Sequence, residues 1–143
     1  MPARLSFEYA VVRVVPRVDR EEFINAGVIV FCLEKRFLRA RVAVDKRRIL
    51  ALWPHADLEV IRQHLEAIPL ICEGNQGAGP IGALSVRERF HWLVSPRSTV
   101  IQVSAAHSGL CDSPEQALDR LYVSFVDHPS TDTFNPSSPS QNC

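Results

Sequence analysis

Residues 26–33, AGVIVFCL, form an uninterrupted apolar run bounded by Asn25 and Glu34. Eight such residues are too few for a membrane span. The run fits a central strand covered on both faces. Glu34, Lys35 and Arg36 then make a tight turn into FLRARVAV (37–44), where Leu38, Ala40, Val42 and Val44 alternate with Arg39 and Arg41. That period of two predicts the second arm of an antiparallel hairpin.

Upstream, FEYAVVRVVP (7–16) is rich in Val and aromatics and stops at Pro16, as a strand would. Tyr9, Val11, Arg13 and Val15 share one of its faces, so Arg13 is a charge on an apolar surface. Asp19 followed by Glu22 resembles a capping box, opening a short helix through Asn25. Downstream, DKRRIL (45–50) reads as a basic turn. Asp57 caps a helix with Leu58, Ile61, Leu65 and Ile68 on one stripe, which Pro69 should end. The stretch 73–83 holds four of the six glycines and reads as a loop. Its Gly77, Gly79 and Gly82 do not make a dinucleotide fingerprint, because no strand leads in and Pro80 removes an N–H. Ser85 with Glu88 opens a further helix, VRERFHWLV. TVIQVS follows as a strand, and Ser113-Pro114-Glu115-Gln116 starts the last helix.

The order of elements predicts a single α+β domain over residues 1–126: a small, mainly antiparallel sheet with helices packed on one side. Residues 127–143 are Ser/Pro-rich with almost nothing to bury and are expected to be a disordered tail.

Sixteen basic and sixteen acidic residues cancel, which removes any bulk drive toward nucleic acid or anionic membrane. The charges are nevertheless polarised. Residues 1–50 carry eleven Lys/Arg against six Asp/Glu, and residues 51–143 carry five against ten. No run reaches membrane-spanning length, and the opening MPARLSFEY has no signal-like apolar core. With four cysteines and no CxxC, the expectation is a cytoplasmic protein with reduced thiols.

Three clusters could carry chemistry. In SPRSTVIQVSAAHSGLC (95–111), Arg97 and Ser98 precede a strand, while His107, Ser108 and Gly109 follow it as a loop into a capped helix. Such a loop is a natural anion site, with Arg97 and His107 supplying charge-assisted hydrogen bonds. Turn and cap roles explain the same residues and are the favoured reading. A straight strand also separates Arg97 from His107 by about 17 Å.

In REEFINAGV (20–28), Glu21 and Asn25 sit within one helical turn just before a glycine, Gly27, where backbone can approach closely. Glu21 serves either a ligand or Arg13, whose place on a packed face asks for a partner. The third cluster is basic: Arg39, Arg41, Lys46, Arg47 and Arg48 form a face for an acidic protein partner or a solvated surface, with nucleic acid less favoured. His107 and Cys111 are spaced HxxxC without the further ligands a metal needs, and no cofactor motif is present, so neither metal nor cofactor is expected.

FEYAVVRVVPRVDREEFINAGVIVFC, RVAVDKRRILALWP and FHWLVSPRSTVIQVSAAHSGLC together resemble a bacterial family catalogued as domain of unknown function 3037, over about residues 7–126. Its signature positions in this chain are Arg13, Glu21, Asn25, Gly27, Arg97, Ser98, Gln102, His107 and Gly109. The resemblance implies a small cytoplasmic protein often encoded beside a HipA-like kinase. It therefore favours a non-catalytic binding or accessory module with a protein partner, that kinase being the first candidate. The alternative is a phosphate- or nucleotide-handling enzyme or sensor that joins Glu21 and Asn25 to Arg97, Ser98 and His107.

Overall fold

Strand β1 (Leu5–Val14) is the hub of a five-stranded antiparallel sheet in the computed structural model, which describes residues 4–97 and 99–127. One edge of β1 pairs with β2 (Ile24–Cys32), which pairs in turn with β3 (Phe37–Val42). The other edge is shared end to end by β4 (Ile101–Val103), opposite Val12–Val14, and β5 (His107–Cys111), opposite Leu5–Tyr9. The expected tail from residue 128 onward, and Ser98, lie outside the described residues.

The apolar run does what its composition demands. Ile29 and Phe31 join a core with helices α1 (Lys46–Leu52), α2 (Leu58–Glu73) and α3 (Val86–Val94). Val28, Val30 and Cys32 join a second core with α4 (Pro114–Phe125). The α+β class and single sheet follow the sequence reading, but the helices do not all lie on one side. Alternation sends half of β2 to each face, so α4 must cover the second.

A bulge tunes this alternation. Val12 pairs with Gly27 but Arg13 with Asn25, leaving Ala26 as the extra residue. A β-carbon at Gly27 would lie 2.6 Å from the Arg41 carbonyl oxygen, so glycine is required for β3 to come close.

Four local expectations change. The Asp19–Asn25 helix is replaced by a 3-10 turn at Val18–Arg20, with β2 already begun at Ile24. Arg17 takes the Asp19 carboxylate and Arg20 takes Glu22, so the capping box has no carboxylates to use. The basic turn is helix α1, capped by Asp45, whose Oδ1 accepts from Arg48 N–H at 3.1 Å. Pro69 does not stop α2, which runs on to Glu73 and closes at Gly74 in the left-handed region. An interior proline costs about 3 kcal/mol, whereas burying Ile71 and Cys72 in the core contributes about 1.5–3 kcal/mol for a side chain of the size of Ile71. Finally, His107–Gly109 form strand rather than loop.

Candidate functional site

The register of the sheet sets three signature residues in one transverse row. Arg13 of β1 lies between Asn25 of β2 and Gln102 of β4. Past the end of α4 this row opens into a pocket of about 260 Å³ lined by Arg13, Val15, Val18, Glu21, Phe23 and Gln102. Two residues that the sequence proposed to pair, Arg13 and Glu21, therefore do share a site. They are not an ion pair, however: the ion pairs of this loop are Arg17–Asp19 and Arg20–Glu22. The Arg13 guanidinium lies instead over the Phe23 ring, 4.3 Å from its centroid, and its buried Nε–H meets no acceptor among the described residues.

Most other candidates have local structural roles. Asn25 donates through Nδ2 to the Phe125 carbonyl at 3.2 Å, tying β2 to the end of α4. Gln102 donates to the Thr99 carbonyl at 3.0 Å. A β-carbon at Gly109 would come within 2.8 Å of the Phe7 ring, so this glycine makes room for a core aromatic. His107 is exposed beside Tyr9, ring centroids 5.3 Å apart, and Ser108 is an exposed strand residue opposite Glu8.

Arg97 stands apart from all of these. Its guanidinium donates to the carbonyls of Trp92, Leu93 and Ser95 at 2.7–3.4 Å and lies over the Trp92 ring. It is a cap on the C-terminus of α3 and faces an apolar cavity of about 300 Å³ with Ile68 and Ile101. That cavity belongs to the sheet face covered by α2 and α3. Glu21, Asn25 and His107 are not among the described residues that line the cavity at Arg97.

The basic cluster splits in the same way. Arg41 donates to Asp119 Oδ1 at 3.0 Å and lies over Tyr122, and Arg39 stands 3.9 Å from Glu115. Helix α4 thus takes the strand arginines. Lys46, Arg47 and Arg48 make no ion pair among the described residues. They rim a cleft of about 350 Å³ between α1 and the end of α4, floored by Ile24, Asn25 and Ala26.

Sequence reasoning passed over Phe23. Its signal was an aromatic in a run of charges, REEF, where a core strand has not yet begun; its 47% exposure is the structural counterpart. Burial pushes the Cys72 thiol up to about 12 and also raises that of Cys111. Among the described residues no three His, Cys, Asp or Glu side chains gather as metal ligands, and no helix is long and apolar enough to cross a membrane.

The fold and its two polar clefts define a small α+β protein with its open sites at one end of the sheet. The chain belongs to the family described as protein of unknown function (DUF3037), whose model matches residues 9–126. No curated protein and no solved structure matches it.

Proposed function

We propose that this chain is a non-catalytic, cytoplasmic binding or accessory module that acts through a protein partner. An acidic segment of that partner docks in the cleft between α1 and α4. The observation that carries this reading is the uneven treatment of the basic cluster. Arg39 and Arg41 are neutralised by α4, while Lys46, Arg47 and Arg48, three cations against the two carboxylates Asp45 and Asp127 that line the same cleft, make no ion pair among the described residues. Exposed cations of this kind act mainly on encounter rate and partner choice. The HipA-like kinase associated with the family is the first partner to test.

The experiment is calorimetric titration of that kinase with the wild-type chain and with a Lys46→Glu/Arg47→Glu/Arg48→Glu variant. Binding at about micromolar affinity, weakened tenfold or more by the reversal and by added salt, is expected. No binding by the wild type removes the kinase as partner. Equal binding by the variant removes the cleft.

A further inference from the structure

We propose that the pocket of Arg13, Glu21, Phe23 and Gln102 binds a small zwitterion of the α-amino-acid type. Its carboxylate meets Arg13 and its ammonium meets Glu21. This goes beyond the partner reading and uses a different cleft.

The argument begins with what the surrounding charges do. In the loop from Arg17 to Glu22, four charged side chains form two ion pairs, and Glu21 is the one left over. Arg13, half-buried in the sheet, likewise makes no ion pair with a carboxylate among the described residues. Both line one pocket, yet they stay outside ion-pair distance of each other. A cation–aromatic contact such as Arg13 on Phe23 offsets only part of the desolvation of a half-buried cation whose Nε–H meets no acceptor among the described residues, so an incoming acceptor has a deficit to relieve.

The sign of the ligand follows from having both charges in view. A plain anion drawn to Arg13 meets repulsion from Glu21, and a plain cation meets the reverse. A molecule with both charges a few atoms apart satisfies both walls. The amide of Gln102 adds a polar group, with its Nε2 already committed to Thr99 and its carbonyl oxygen left to accept from an ammonium.

Size and lining narrow the class further. About 260 Å³ equals the share of roughly nine liquid waters, room for a single amino acid. Val15, Val18 and Phe23 supply an apolar wall, so an apolar side chain is preferred. Glu21 is held in the left-handed region, φ 57°, a conformation disfavoured for a residue with a β-carbon. The 3-10 turn closes there by Glu21 N–H donating to the Val18 carbonyl at 3.3 Å, which holds the backbone of Glu21 at the wall of the pocket.

The test is an NMR titration of the full chain with L-leucine and L-phenylalanine, against their N-acetyl and methyl ester derivatives and acetate. Saturable shifts at Phe23 with a Kd of about 1 mM or tighter are expected, and blocking either end should weaken binding tenfold or more. Arg13→Gln should abolish binding. Glu21→Gln should make free and N-acetylated forms bind alike, which a merely structural role would not produce. The proposal is overturned if the free amino acids give no saturable shift up to about 10 mM. Equal binding of acetate by the wild type makes this a plain anion site and also sinks it. So does a charge-dependent stability coupling between Arg13 and Glu21 in the ligand-free chain, which would make them an ion pair.

Discussion

Ser104 and Val11 exchange two hydrogen bonds, one of them through a side chain. The Ser104 N–H donates to the Val11 carbonyl at 2.9 Å, and the Val11 N–H donates to the Ser104 hydroxyl oxygen at 2.9 Å. The hydroxyl stands where a strand carbonyl would otherwise be. It does so at the join of β4 and β5, where pairing steps from Val12–Val103 to Tyr9–His107, a slip of one residue. The slip carries one edge of β1 past a bulge while keeping Val11 satisfied, with Ser104 only 6% exposed.

Replacing Ser104 by alanine should therefore leave the Val11 N–H buried without an acceptor, at a cost of about 1–3 kcal/mol. Urea denaturation measures it. A loss below about 0.5 kcal/mol, the size of an ordinary surface change, would mean that water or backbone movement replaces the hydroxyl.

Gly109 offers a second test, since its place in the signature invites a ligand role. A β-carbon there meets the Phe7 ring at 2.8 and 2.9 Å, and Phe7 is buried in the second core. Gly109→Ala should cost about 1–3 kcal/mol through overpacking. Combining it with Phe7→Leu should recover part of that loss, because residues in contact couple by about 0.5–3 kcal/mol. Additive losses in the double variant would show that the ring is not the obstacle.

These cases show which parts of the molecule were legible in the sequence. AGVIVFC announced a strand covered on both faces, and Ser85–Glu88 and Ser113–Pro114 announced helix starts, because those signals are local and one residue deep. Pro69 misled because the burial of Ile71 and Cys72 is decided by tertiary packing. The Asp19–Glu22 spacing misled because both carboxylates were claimed by arginines two residues away. His107–Gly109 read as loop because Ser, Gly and His are weak strand formers. Their pairing with Phe7, Glu8 and Tyr9 spans about a hundred residues of chain, and no local pattern records it. Arg13 and Glu21 were nameable from sequence; that Phe23 rather than Glu21 lies against Arg13 was not.

Glu21 makes a third prediction. Glycine and asparagine adopt the left-handed region more readily than glutamate. Glu21→Gly or Glu21→Asn should hold or raise stability by up to about 1 kcal/mol, whereas Glu21→Ala should not. Thermal melts of the three variants decide it. Equal melting temperatures for all three would show that the loop relaxes out of the conformation with φ 57°.

Arg97 gives a fourth, directed at the polar stretch that flanks β4. Its three carbonyl partners at the end of α3 make it a cap. Arg97→Ala should lower stability by about 1–2 kcal/mol through loss of charged hydrogen bonds. It should leave the NMR signals of Phe23 unchanged, because Arg97 and Phe23 line different cavities. Movement of the Phe23 signals in this variant would join the two cavities after all.

The last prediction concerns alkaline pH. Cys72 sits on α2 in the first core, and burial pushes its thiol from an ordinary 9.0 up to about 12. The folded chain therefore keeps this proton when the unfolded chain has begun to release it. The stability contributed is fully present below about pH 9 and is lost as pH rises toward 12. Across that window the loss approaches about 1.4 kcal/mol per pH unit from this thiol, reaching on the order of 4 kcal/mol at most. Lysines and tyrosines titrate over the same range, so the measurement is a difference. Urea midpoints of wild type and Cys72→Ala should be compared between about pH 8 and about pH 11, a span that starts below the thiol's ordinary 9.0. The variant should be less stable at the lower end, because it loses buried volume, and the gap should narrow as pH rises. Cys111, raised in the same direction by its own burial, is present in both proteins and cancels. A gap that stays constant would mean that α2 opens locally to let the Cys72 thiolate reach water before the domain unfolds.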